Sequence, residues 1–224
     1  TPAHRLNHPQ RRLMDGKPCR PFHDIQMMVD GEAARALGEL TRARWEGATG
    51  EHLSPPVLEL AGDHWPPSVT PDLQHIPVAI ARTQPDYENQ KEIREVEALF
   101  TESITRAQRF IYIETQYLTS NVIASALAKR LQDPMGPEIV ILLHPHSDGW
   151  LEHHTMDVLR GRVLKKLRAG DRFHRLALYF PHLPGLGKDC MTLHAKVCVI
   201  DDDFVRVGSA NCSNRSMGFD TECD

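Results

Sequence analysis

Apolar positions along the chain recur with a period of two in some segments and about 3.6 in others, the repeats of a pleated strand and of a helix. Phe22 to Val29 alternates through Ile25, Met27 and Val29, which predicts a strand. From Gly31 to Gly50, Ala33, Leu37 and Leu40 recur at helical spacing, and Gly50 supplies the stop. The first 20 residues, rich in Arg, His, Pro and Asn, read as a loop, and six prolines between Ser54 and Pro77 mark a linker region. Beyond them the pattern predicts strand 77–82, helix 88–109, strand 110–114, helix 119–132, strand 138–144, helix 154–168 and strand 175–180. Two β-rich runs in MTLHAKVCVIDDDFVRVGSAN, split by Asp201, Asp202 and Asp203, predict a hairpin. Such alternation implies an α/β fold with helices layered against a sheet.

Composition narrows the function classes. The 224 residues are 41% hydrophobic and 25% charged, enough for a core and unlike a disordered chain. With 26 basic against 30 acidic residues the net charge is −4, so the footprint of a dedicated nucleic-acid binder is missing. The five cysteines contain no CxxC pair, which argues for reduced thiols over a disulfide framework or zinc ribbon. No run approaches the roughly 18 apolar residues that span a bilayer. Arg160 to Arg175 carries seven basic residues and one acid on an amphipathic pattern, which adds a peripheral membrane surface to the expected partners. The start without Met and the stop at TECD suggest a piece of a longer protein.

The chemistry concentrates near the end. In an extended run, residues two apart share a face, so His194 and Lys196 project together while Leu193, Ala195 and Val197 face the opposite layer. Asp201 follows to complete HxKxxxxD, and Ser209 and Asn211 share a face after Gly208. This set suits a phosphodiester: Lys balances phosphate charge, Ser and Asn donate hydrogen bonds, and His attacks phosphorus or protonates the departing oxygen. Glu222 is the candidate carboxylate for the second imidazole nitrogen, and Asp201 reads equally as a turn-holding residue. Glu114, Gln116 and Tyr117 at a strand end are candidates to line the pocket. The run His144, His146, Asp148, with His153 and His154 nearby, resembles a binuclear metal set, but Gly149 stands where a third histidine would be, so no metal or other cofactor is expected.

These residues resemble a known family. His194, Lys196 and Asp201, then Gly208, Ser209, Asn211, Arg215, Ser216 and Glu222, resemble the second HKD half of the phospholipase D superfamily. IARTQP (Ile80 to Pro85) and IYIETQY (Ile111 to Tyr117) resemble the segments that precede that motif, and PFHDIQMMVDG (Pro21 to Gly31) resembles the stretch that closes the first half. The resemblance implies an α/β/α layered fold with a mixed sheet flanked by helices. It divides the chain into the tail of a first repeat (1–70), a linker (71–75) and a second repeat (76–224).

The implied activity is hydrolysis or transfer of a glycerophospholipid phosphodiester through a phosphohistidine, with water or an alcohol as acceptor. His194 would act as general acid and then base, and Ser209, Asn211, Glu114 and Gln116 would bind substrate. Only one HxK occurs here, so the resemblance implies a second HKD half, in the same protein or a second subunit. A cardiolipin synthase-type phosphatidyltransferase, an HKD nuclease and a catalytically silent lipid-binding module are the alternatives. The expected location is the cytoplasm or a membrane surface.

Overall fold

The computed structural model describes residues 12–19, 21–56, 65–88, 90–144, 150–183 and 190–224, with 150–154 described by backbone only. In chain order the elements are β1 (Phe22–His23), α1 (Gly31–Thr49), β2 (Arg82–Gln84), β3 (Ile93–Arg94), α2 (Glu95–Arg106), β4 (Phe110–Thr115), α3 (Asn121–Gln132), β5 (Glu138–Leu143), α4 (Trp150–Gly170), β6 (Leu176–Tyr179), β7 (Thr192–Leu193), β8 (Val197–Ile200), β9 (Phe204–Val207), α5 (Asn214–Gly218) and β10 (Glu222–Cys223). They form two compact units. One takes the chain up to Gln26 together with Ala81–Asp224, and the other is Met27–Ile80. This division differs from the repeat boundary expected near residue 76 in that β1 belongs with the later unit, because it pairs with β7.

The larger unit is built on a mixed five-stranded sheet of order β6-β5-β4-β8-β9. Strands β4, β5 and β6 run parallel, β8 is antiparallel to β4, and β9 returns antiparallel to β8. Strict alternation sends Ile111 and Ile113 of β4, Ile139 and Ile141 of β5, and Cys198 and Ile200 of β8 to one face. There they meet Val96, Phe100 and Ile104 of α2, Ile123, Leu127 and Leu131 of α3, and Val163 and Leu167 of α4. Each fully buried aliphatic or Phe side chain contributes about 1.5–3 kcal/mol relative to exposure, so this layer carries most of the unit's stability. Helix α3 starts where Ser120 accepts a hydrogen bond from the Ile123 amide at 3.3 Å, satisfying a donor that no helical carbonyl can reach. On the opposite face a smaller cluster joins Leu193, Ala195 and Val197 to Leu142, Val199 and Val207, and this cluster underlies the site.

The mixed sheet flanked by helices matches the expected fold class, while several boundaries move for identifiable reasons. The strand expected over 22–29 pairs only at Phe22–His23, and Ile25, Met27 and Met28 are exposed. The strand expected at 77–82 falls at Arg82–Gln84, where β3 and β10 flank it, and this pairing delays the following helix from 88 to Glu95. The hairpin forms with Ile200 opposite Phe204, its turn opened by Asp201 at φ 49°. In the smaller unit, α1 ends as expected at Gly50, whose φ of 73° lets its amide reach the Glu46 carbonyl. Along α4, Arg162, Lys165, Lys166 and Arg168 are exposed while Val163 and Leu167 are buried, as the amphipathic pattern implies. No helix of the described residues is long and apolar enough to cross a membrane.

Candidate active site

His194 and Lys196 sit in the three-residue link between β7 and β8. Leu193 and Ala195, both fully buried, pin this link to the smaller cluster and leave the intervening His194 facing outward with its side chain 43% exposed. Lys196 is buried, and its Nζ turns back to donate to the His194 carbonyl at 2.6 Å. Burial lowers the Lys196 pKa, and the negative charges of Asp24 and Glu222 offset part of that shift. An ammonium flanked by two carboxylates and adjoining an imidazole is thus the electrostatic centre of the site.

Each carboxylate has its own partner. Asp24 Oδ2 lies 2.9 Å from His194 Nδ1. An ionised carboxylate only accepts, so Nδ1 carries a proton and Nε2 is the nitrogen left to face a substrate. Phe22, two residues earlier, places its ring 5.2 Å from the His194 ring, tilted by 36°. Glu222, expected from sequence to hold the imidazole, instead accepts from Ser209 Oγ at 2.5 Å. The physical reason is local: the Gly208 amide donates to the Lys196 carbonyl, while Ser209 and Cys223 exchange two hydrogen bonds, which fixes β10 beside the Ser209 hydroxyl.

The other expected site residues divide. Asn211 stands near the end of β4, its Oδ1 3.4 Å from Thr115 Oγ1, and its amide donates to Ser216 Oγ at 3.1 Å. Gln116 follows β4 half-buried. Glu114 is 6% exposed and both its oxygens are occupied, one by the Tyr112 hydroxyl at 2.6 Å and one by His23 Nε2 at 2.7 Å. Its geometry is that of an internal anchor, not of a substrate contact. Asp201 lies at the far end of β8 from Lys196, where its carboxylate accepts from the amides of Gln108, Arg109 and Phe110 at 2.9, 2.7 and 3.0 Å. Burial pushes its pKa up, but these three donors outweigh that, and the carboxyl sits below its usual range. Of the two sequence readings for Asp201, catalytic and turn-holding, these contacts match the second.

His144 is buried 3.8 Å from Cys190 Sγ, and its carbonyl accepts from Arg160 at 2.8 Å. His146 and Asp148 lie outside the described residues, as do the side chains of His153 and His154. Among the described residues no three His, Cys, Asp or Glu side chains are placed to hold a metal ion.

Asp24, His23 and Tyr112 were not singled out from the sequence. The available signal was the alternation in Phe22-His23-Asp24, which puts the first and third side chains on one face and the second on the other. Together, His194 through Nε2 and the Lys196 ammonium can engage an anionic oxygen and move a proton beside it.

Residues 100–224, more than half of the chain, match the family model described as cardiolipin synthase, PLD-like domain. The chain belongs to the phospholipase D superfamily. Among curated relatives, cardiolipin synthase A of Pseudomonas putida is 26% identical over 202 residues, which cover 90% of this chain and 36% of that protein. Phospholipase D1 of Rattus norvegicus is 25% identical over 246 aligned residues, covering 89% of this chain and 23% of that one. This phospholipase D superfamily chain therefore spans about a third or less of the length of those relatives. Among solved structures, the phospholipase D family member Nuc of Salmonella typhimurium aligns at a TM-score of 0.47 and 14% identity over 65% of this chain and 78% of that one.

Proposed function

We propose that this chain supplies one half of a phospholipase D-type active site that cleaves or transfers a glycerophospholipid phosphodiester. The observation that carries the reading is the Asp24–His194 contact beside Lys196, which leaves Nε2 as the reacting nitrogen. A histidine from a second HKD half attacks phosphorus, forming a P–N bond as the P–O bond to the leaving alcohol breaks. The His194 imidazolium gives its Nε2 proton to that alcohol. His194 then takes a proton from water or an acceptor alcohol, whose oxygen attacks phosphorus as the P–N bond breaks. Lys196, which spends one of its three N–H donors on the His194 carbonyl, balances the charge on the phosphoryl oxygens with the others. The matches to cardiolipin synthase A favour a second form of the same chemistry, in which the acceptor is a hydroxyl of another lipid.

The test is product analysis with the two-motif protein, supplied with phosphatidylcholine or phosphatidylglycerol and a primary alcohol. Phosphatidylalcohol should form alongside phosphatidic acid, and His194→Asn should suppress both. A diphosphatidyl product from phosphatidylglycerol alone would establish the transferase form. Cleavage with no adduct at any alcohol concentration would overturn the covalent intermediate, and cutting of short nucleic acids with lipids untouched would overturn the substrate class.

A further inference from the structure

The carboxylate that holds His194 comes from outside the β7–β9 region. It directly follows β1, which meets β7 through a two-residue parallel pairing, Phe22 opposite Thr192 and His23 opposite Leu193. Two backbone hydrogen bonds close this pairing, Thr192 amide to Pro21 carbonyl and His194 amide to His23 carbonyl, both at 2.8 Å. So short a ladder does not fix a strand, because an isolated pairing of this size is marginal in water. Something else must hold Phe22 and Asp24 against the imidazole.

The side chain between them does so. His23 points to the side opposite Phe22 and Asp24, and its Nε2 meets Glu114 Oε2 at 2.7 Å. Because an ionised carboxylate offers no proton, His23 donates. The other oxygen of Glu114 accepts from the Tyr112 hydroxyl at 2.6 Å. Burial, and then Glu114 itself, push the Tyr112 pKa up, so the hydroxyl remains a donor. Glu114 and Tyr112 both belong to β4, the central strand of the sheet, paired on one side with β5 and on the other with β8. The central strand of the sheet thereby holds β1 by a part-buried chain of two hydrogen bonds.

We infer that Tyr112, Glu114 and His23 form a positioning relay that locks β1 in place, so that Asp24 and Phe22 hold the His194 ring in the single tautomer and orientation that the chemistry needs. The inference rests on the reading of His194 as the reacting imidazole. None of the three relay residues touches the phosphate; they act through Asp24. The relay also explains why a carboxylate at 114 is buried with both oxygens occupied.

The test has one arm without turnover and one with it. Proton–nitrogen NMR of the 224-residue chain, recorded at a pH high enough to give the neutral ring, reports the His194 tautomer, which should carry its proton on Nδ1. Glu114→Leu should replace that signature with averaged tautomers, Tyr112→Phe should shift it partway in the same direction, and Glu114→Gln, which can still bridge His23, should restore most of it. In the two-motif protein the same order should appear in kcat, with Glu114→Leu down about 10–100-fold, the range for partners that orient a reacting group, at unchanged KM. Tyr112→Phe removes one oxygen and keeps the ring, so it remains informative if Glu114→Leu misfolds. An unchanged His194 signature in both folded variants would overturn the relay. A shifted signature in a protein that turns over no lipid would uphold the relay and overturn the proposed function instead.

Discussion

Removing the Arg206 guanidinium should be among the most destabilising single changes in the chain. Arg206 and Asp224 have side chains 3% and 0% exposed, and the guanidinium makes two bonds to Asp224 Oδ2, at 2.9 and 2.5 Å, and one to the Ala210 carbonyl at 2.8 Å. It also lies 4.2 Å over the Phe100 ring. In Arg206→Met the apolar stem is roughly conserved, but the Asp224 carboxylate stays buried with the Ala210 amide as its remaining side-chain partner. Orphaning a buried charge costs about 3–5 kcal/mol, which for a chain of 224 residues is a fall in Tm of about 6–20 °C. Thermal and urea unfolding of the parent, Arg206→Met, Asp224→Asn and the double variant would measure it. Because the penalty is the stranded charge and not the lost contact, the double variant should be more stable than the sum of the single losses predicts. An Arg206→Met protein within about 1 kcal/mol of the parent, or strict additivity, would refute the reasoning.

Two further outcomes follow from the geometry around the same elements. A Cβ at Gly208 would overlap Asp224 Oδ1 and the Asp224 Cα. Gly208→Ala should therefore lower the urea midpoint by an amount worth about 1–3 kcal/mol, and an unchanged midpoint would mean the turn yields freely. At Asp201 the folded pKa is depressed, so its stabilisation is present above the ordinary carboxylate pKa and is lost as pH falls through the lower folded value. Asp201→Asn should reduce stability at neutral pH and flatten the acid limb below about pH 4, which melts across pH 3 to 7 would show. Parallel curves for the two proteins would count against the three-amide contact.

The parts of the fold that were readable are those whose cause is local. Ile111 and Ile113 alternate within one strand, Ser120 caps the helix it precedes, and Gly50 ends the helix it follows. The Asp201–Asp203 turn joins strands that are neighbours in sequence. What escaped depends on residues brought together from afar. The strand expected from Phe22 to Val29 shrinks to Phe22–His23, because its partner is β7, far along the chain. Nearness in sequence points to Glu222 as the His194 carboxylate, whereas Asp24 is 170 positions away. For Asp201 the arithmetic was available: five extended residues beyond Lys196 amount to about 16 Å, too far to share a phosphate with His194.

That 170-residue separation also sets an order of events during synthesis. Asp24 is made early, yet its imidazole partner does not exist until position 194 has been added. At translation rates of about 5–20 residues per second this is a wait of about 9–34 s. Local elements such as the β4–α3–β5 unit are complete well before then and can form within microseconds to milliseconds of their synthesis. The nascent chain thus carries the parallel β4, β5 and β6 before either the β8–β9 edge of the sheet or the centre exists. Its β1 segment, Phe22–His23, has an unpaired edge that must be kept from other strands until β7 arrives. Expression conditions that slow elongation between residues 24 and 194 should lengthen that exposure, and with it the fraction of chains lost to aggregation.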